Sequence, residues 1–540
     1  MSDDSGLDTL LVGIDAGCLP VLEAEFSEGN LPTLQRLLDD GPFGPLESQI
    51  PPWTASAWPS LYTGTNPGKH GVNGFLRYEG YDWDVVNATH VTERSLWELL
   101  DEEDRSSVVV NVPVTDPAPA IDGAVVPGYT APESPDCHPE GVLDELETEL
   151  GEYRVYPDRE RDSPEAYTDL VRMRGEAFRY LADRESPDFG FVQFQVTDTV
   201  FHDQPDDLDA VSAVYQAVDD EVREVIDATD PDTVVVASDH GMGEYNGAEF
   251  RVNEFLRDHG YLETTRGGKG MPTWGWIREE QLREGERRDN TGDPGLLTRA
   301  TGAAASAGLT TRRIGRLFDT VGLRDRVARH VPGEFINASA EQVDFGESAA
   351  FMRSRIELGV RINLEGRDPN GVVPQDEYEN VRSELIELLS SVAAPDGSPV
   401  FEDVAPREAY FDGDEAERAV DIVTVPAEFD HFLSADLKGE WFGEPPEPWN
   451  HKLDGVVSVT GEAVDDVGRY DDAHLYDVAP TVLASLDLPT SDRMDGRVLP
   501  GVDPVGTRSY NPYDSGHTQS TDDADVERRL ADLGYLEGQQ

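Results

Sequence analysis

Cations are scarce in this 540-residue sequence: 43 Lys plus Arg stand against 109 Asp plus Glu, a formal net charge of -66. Such a chain should repel nucleic acids and acidic membranes, so duplex binding is not expected. The acids are spread along the whole sequence rather than gathered in one block, which argues against an acidic tail or a mucin-like cation binder. The pattern fits the surface of a protein from a salt-accumulating organism, where the Debye length falls to about 3 Å and longer-range self-repulsion fades. Only two cysteines occur, Cys18 and Cys137, too few for a disulfide framework, and no Cys-x-x-Cys pair offers a zinc knuckle. Cys18 reads as a small buried hydrophobe. No run approaches the roughly 20 apolar residues of a membrane span. The start, Met1-Ser2-Asp3-Asp4-Ser5, has no basic or long apolar stretch, so a cytoplasmic protein is expected. Internal repeats and the Asp/Asn-Gly loops of a calcium buffer are missing too.

What is present is a set of short apolar runs that each end in a chemically capable residue. Leu10 to Ile14 ends at Asp15, Phe189 to Val196 precedes Asp198, and Thr233 to Ala237 precedes Asp239-His240. Between them, Pro32 to Leu38, Ser95 to Leu100, Leu208 to Ile226 and Tyr476 to Leu486 space apolar residues three and four apart, as helices do. Alternating strands and helices predict an α/β fold with a central, mostly parallel sheet flanked by helices. Ligands of such folds sit beyond the carboxyl ends of the strands, where the polar residues fall.

The chain divides, on this reading, into a catalytic α/β domain over 1–250 and 431–505, with insertions between and a tail over 506–540 that carries a short helix. Residues 251–340 hold 15 of the 43 Lys plus Arg. They read as an inserted helical cap whose basic residues pair with its own acids, the alternative being a lid that recruits anions. Residues 341–430 read as a mixed α/β insertion, with a strand at Glu357 to Ile362 and a helix near Tyr378 to Ser390.

Asp198 and His202 are four residues apart, so a helical turn would put both on one face. Asp239-His240 is followed by Gly241, where the backbone can turn sharply. Carboxylates with imidazoles are the ligand types that Zn²⁺ or Mn²⁺ accepts. The order Asp15, Thr54 in Pro51-Pro52-Trp53-Thr54, Asp198-x3-His202, Asp239-His240-Gly241 and a late histidine resembles the alkaline phosphatase superfamily, in its type I phosphodiesterase/nucleotide pyrophosphatase-like branch. Thr63-Gly64-Thr65-Asn66-Pro67-Gly68-Lys69-His70-Gly71-Val72 and Tyr476-Asp477-Val478-Ala479-Pro480-Thr481 resemble further segments of that family. Val360-Arg361-Ile362-Asn363-Leu364-Glu365-Gly366-Arg367 resembles a segment of its phosphohydrolase/phosphomutase-type members. For the late histidine, His451 in Asn450-His451-Lys452-Leu453-Asp454-Gly455 matches the step before a last strand, whereas His474 opens the terminal helix and caps it or faces solvent.

The resemblance implies an alkaline-phosphatase-like sandwich and two divalent metal ions, zinc by default and manganese as the rival. One would be held by Asp15, Thr54, Asp239 and His240, the other by Asp198, His202 and His451. Two such ions carry four positive charges, matching three aspartates and a Thr54 alkoxide. Coordination can bring the pKa of water from about 15.7 to about 7, and a threonine hydroxyl needs comparable activation. The implied reaction is in-line attack by Thr54 on a small phosphorylated substrate through a phospho-threonine, with retention at phosphorus. Asn73 would donate a hydrogen bond to a phosphoryl oxygen, or else is a turn residue before Gly74. Phosphodiester or nucleotide pyrophosphate cleavage is expected ahead of monoester cleavage. A phosphomutase, a phosphotransferase or a non-catalytic metal-binding relative are the alternatives, and the oligomeric state is open.

Overall fold

The computed structural model describes residues 7–157, 164–266, 341–511 and 513. The basic stretch of the expected cap from residue 267 onward, and the expected helix of the tail, lie outside the described residues. Of the tail, Thr507–Arg508 forms a short strand beside Thr490–Ser491.

The centre is an eight-stranded sheet. Across it the strands run Ala473–His474, Phe43–Glu47, Asp454–Gly461, Thr233–Ala237, Thr9–Ile14, Phe189–Phe194, Ser107–Val110 and Gly123–Val126. Seven share one direction, and Asp454–Gly461 alone runs against both of its neighbours. Thr9–Ile14 is buried at every position because helices cover both faces, and the strand's period of two sorts its side chains. Leu10, Val12 and Ile14 enter one core, with helices Pro164–Glu185 and Leu208–Thr229. Leu11 enters the other, with helices Thr54–Thr63, Leu96–Glu102 and Val478–Ser485. Val234 and Val236 against Val235 and Ala237 repeat the alternation.

Two details tie this packing to chemistry. Gly13 has no side chain because one would come to 2.7 Å from the Trp58 ring, and that ring lies across the strand to reach Asp15. Strand Asp454–Gly461 enters the sheet from the carboxyl end of its parallel neighbours, so His451 just before it arrives at the same end as Asp15, Asp198 and Asp239.

A third core lies over the remaining described residues. Strands Ala350–Phe351, Gly359–Ile362, Ile422–Pro426 and Phe401–Pro406 form an antiparallel sheet in that order, with helix Tyr378–Ser390 packed on the last. Helix Val252–Asp258 and the segment around Phe432 join the same core. The Val360–Arg367 segment is structural here. Arg367 donates to both oxygens of buried Asp421, at 2.6 and 2.9 Å, and Arg361 lies 3.9 Å from it. Burial raises the pKa of that carboxyl, but the arginines outweigh it and hold it low. No helix among the described residues is long and apolar enough to cross a membrane.

Candidate metal centre

The carboxyl ends of three adjacent parallel strands deliver most of the site. Asp15 follows Thr9–Ile14, Ser238-Asp239-His240 follows Thr233–Ala237, and the chain leaving Phe189–Phe194 turns into helix Val196–Asp203. Asp198 and His202 therefore lie one helical turn apart. Thr197 fastens this helix to the first strand by donating to the Asp15 carbonyl at 2.7 Å. Trp449–Lys452 pairs with Gly241–Glu244, placing His451 opposite Met242. Thr54 opens helix Thr54–Thr63.

The structure brings seven of the eight expected residues together. Thr54 Oγ1 lies 3.4 Å from Asp15 Oδ1 and 3.3 Å from His240 Nε2. His240 Nε2 is 3.2 Å from Asp239 Oδ2 and 3.5 Å from Asp15 Oδ1. Asp198 Oδ1 is 3.3 Å from His202 Nε2 and 3.3 Å from His451 Nε2. The rings of His240 and His451 stack at 3.7 Å, joining the two groups. Asp198 belongs to both, clustering with His202 and His451 on one side and with Asp15 and His240 on the other. The expected partition of ligands gave it to one side only.

Asn73 stands apart from this cluster, on the wall of a separate cavity. Its carboxamide oxygen is buried without a hydrogen-bond partner, beside the turn Arg355–Glu357. His474 caps that turn of the terminal segment where Leu475–Asp477 begins, accepting from Tyr476 N at 3.3 Å. Buried His70 packs against helix Thr54–Thr63, with Nε2 2.8 Å from Ser60 Oγ. Cys18 is a core residue whose thiol donates to the Met242 carbonyl, and both cysteines are free.

The electrostatics test whether divalent cations fit. Asp15, Asp239 and His240 have no solvent-exposed side-chain surface. Burial, then the charges of neighbouring aspartates, drives the Asp15 and Asp239 carboxyls well above the usual carboxylate range. Burial and neighbouring His451 push His240 far down. Asp239 Oδ2 is buried with no hydrogen-bond donor. Orphaned buried carboxylate oxygens cost free energy that a cation removes. Three carboxylates and three imidazoles on these atoms fit two divalent ions, with Nδ1 of His240 facing the Gly241 carbonyl at 3.0 Å and that of His451 facing the Pro52 carbonyl at 2.8 Å. Those carbonyls fix the tautomers and leave each Nε2 free to ligate.

Sequence reasoning missed the residues behind these. Trp58 Nε1 and Gln193 Nε2 donate to Asp15 Oδ2 at 3.0 and 2.8 Å, leaving Oδ1 toward Thr54. Glu447 Oε2 lies 3.5 Å from His202 Nδ1, while its other oxygen pairs with Arg355 at 3.0 Å. Together His202 and Arg355 outweigh the effect of burial and hold the Glu447 carboxyl down at about 2. Trp53 lies edge-on to His451 at 5.0 Å. Glu447 lies in a proline-rich stretch and Arg355 in the insertion, so periodicity carried no signal for either.

Comparison with known proteins agrees with this architecture. Residues 9–293 match the family model described as type I phosphodiesterase / nucleotide pyrophosphatase. Phosphonoacetate hydrolase from Sinorhizobium meliloti 1021, solved with phosphonoformate, is 15% identical with a TM-score of 0.50, over 88% of this chain and 94% of that one. Wild-type alkaline phosphatase PafA is 15% identical with a TM-score of 0.49, over 92% and 98%. Human ectonucleotide pyrophosphatase / phosphodiesterase 5 is 12% identical with a TM-score of 0.48, over 91% and 97%. At 15% identity the likeness to the phosphonoacetate hydrolase is one of fold. No curated protein matches the chain in sequence. With the matched model spanning more than half of its length, the chain belongs to the type I phosphodiesterase/nucleotide pyrophosphatase family.

Proposed function

We propose that this chain cleaves phosphodiester or nucleotide pyrophosphate bonds of small substrates through a phospho-threonine on Thr54, at a centre of two divalent ions. The observation that carries the reading is the position of the Thr54 hydroxyl, 3.3 Å from His240 and 3.4 Å from Asp15, in a buried cluster with an orphaned carboxylate oxygen. Zinc is the ion favoured by the three imidazoles, with manganese as the alternative. When bound, the ions offset the charge of the aspartates, lower the pKa of an oxygen acid and stabilise the charge that develops on the leaving oxygen.

The protein's own groups do the rest. Thr54 supplies the attacking oxygen. It sits on the first turn of a helix whose cap, Trp53, provides no side-chain oxygen, so the partial positive charge of that turn faces the phosphoryl group. Trp58 and Gln193 hold Asp15 in one orientation, so no reorganisation accompanies attack. Asn73 is assigned to a phosphoryl oxygen. Water then attacks the phospho-threonine from the face opposite the threonine oxygen, and net retention at phosphorus follows.

The test compares hydrolysis of bis-p-nitrophenyl phosphate, p-nitrophenyl phosphate and thymidine monophosphate p-nitrophenyl ester, in high salt with Zn²⁺ or Mn²⁺. Metal-dependent turnover with a preference for the diesters is expected. A preference for the monoester would replace the diesterase reading, and turnover that survives in Thr54→Ala would remove Thr54 from its role.

A further inference from the structure

Strand Phe189–Phe194 carries an amide on a face that is otherwise apolar. By the strand's period of two, Gln193 points to the same side as Phe189 and Phe191, into the core under helix Thr54–Thr63, and it is fully buried there. A buried amide costs free energy unless both its ends are bonded, and those ends are alike in shape but opposite in polarity. With its nitrogen toward Asp15 the amide holds the carboxylate; with its oxygen there it would repel it.

The direction is set by Asn111, just past the neighbouring strand Ser107–Val110. Its Nδ2 donates to Gln193 Oε1 at 2.8 Å and to the Gln193 backbone carbonyl at 3.0 Å. A backbone carbonyl only accepts, so it requires the Asn111 nitrogen on this side. That nitrogen in turn requires the oxygen of the Gln193 side chain, which leaves Gln193 Nε2 to donate to Asp15 Oδ2 at 2.8 Å. The chain of hydrogen bonds thus starts from a group that cannot turn over and ends on the carboxylate beside Thr54.

The backbone around this chain is built for it. Asn111 is 3% exposed and has φ 66°, in the left-handed region that is strained for most side chains and that asparagine tolerates best. Its N–H donates to the Val126 carbonyl at 2.8 Å, and a side chain at Gly128 would come to 1.9 Å from the Asn111 carbonyl, so the next strand end closes tightly over it. On the other side Gly13 stands opposite Gln193 in register, where a side chain would lie 3.0 Å from Gln193 Cγ.

We propose that Asn111 is a positioning residue of the centre: by fixing the direction of the Gln193 amide it keeps Asp15 Oδ2 turned to its two donors, Trp58 and Gln193, and Oδ1 turned to Thr54 and the ion. The proposal rests on the reading above for the presence of an ion, and on the hydrogen-bond chain alone for the orientation of Asp15.

The experiment pairs Asn111→Gly with Gln193→Ala in a double-mutant cycle. Glycine keeps the left-handed backbone and removes the amide, and a melting curve checks that each variant folds. One readout is the resonance of the Trp58 indole N–H, which shares Asp15 Oδ2 with Gln193, in protein labelled with ¹⁵N-tryptophan, both zinc-loaded and metal-free. The other is zinc affinity by competition with a chromophoric chelator. Asn111→Gly should shift the indole resonance and weaken zinc binding about three- to tenfold, Gln193→Ala should weaken it about ten- to a hundredfold, and the pair should lose no more than Gln193→Ala alone. An unmoved indole resonance and unchanged zinc affinity in folded Asn111→Gly would overturn the proposal. Losses that add in the pair would overturn it too, because Asn111 would then act by a route other than Gln193. A wild type that binds no zinc would sink the reading of the centre, while the indole resonance of the metal-free protein would still decide whether Asn111 orients Asp15.

Discussion

The two halves of the candidate metal centre solve the same charge problem in opposite ways. Around Asp198, His202 and His451 the protein supplies its own compensation. Although burial opposes it, Asp198 and Glu447 raise the His202 pKa to about 10, and Asp198 is held well below the usual range. Around Asp15, Asp239 and His240 hydrogen bonds offset burial only in part, and both carboxyls are driven up. The first half stands on one helical turn and the strand Trp449–Lys452, with the His202 side chain 17% exposed. The second is set on the ends of two central strands and sealed. A dry half, its charge offset only in part, should grip its ion; a half that must release a proton to bind should exchange its ion and respond to pH.

Breaking the dry half has the largest expected effect. Thr54→Ala should lower kcat by about a thousandfold or more, the scale seen for lost nucleophiles, while ion content measured by mass spectrometry stays at two. Chelation should then separate the halves. One equivalent should leave readily, and removal of the second should lower the melting temperature sharply, because Asp15, Asp198 and Asp239 lose the counter-charge that stabilises the folded state.

The next effect concerns the compensated half alone. In metal-free protein His202 keeps its proton up to about pH 10, so each ion bound there expels one. Affinity of the weaker site should therefore rise with pH, by up to about tenfold per unit, and level off near pH 10. Glu447→Gln should move that plateau to lower pH and change affinity for this site alone by about ten- to a hundredfold, read by competition with a chromophoric chelator. A change in both sites would show that the halves are not separable.

Smaller effects fall outside the ligands. Trp58→Phe should cost about 1–3 kcal/mol in chemical unfolding, since a buried Asp15 oxygen loses a donor. His474→Ala should cost about 1 kcal/mol with kcat unchanged, as befits a capping histidine.

Strand ends were the legible part of this molecule. Asp15, Asp198 and Asp239-His240 could be located because buried parallel strands write themselves as apolar runs, and side chains just past them have nowhere to go but the ligand end. Helix Leu208–Thr229 was legible from its spacing. His451 was separable from His474 only through the last strand it precedes, whose antiparallel entry explains its position. What stayed hidden depends on contacts between distant segments. Gln193 reads as one polar residue inside a strand, Trp58 as core, and Glu447 as part of a proline-rich turn. Asp198 reaching both groups of ligands is likewise a fact of three dimensions.

The most direct test of the central claim is rapid-quench mass spectrometry of the peptide containing Thr54 during turnover of bis-p-nitrophenyl phosphate. The account predicts a mono-nitrophenyl phosphoryl group on Thr54 that forms and decays at rates matching kcat. Turnover with no adduct on Thr54, or with the adduct on another residue, would contradict it.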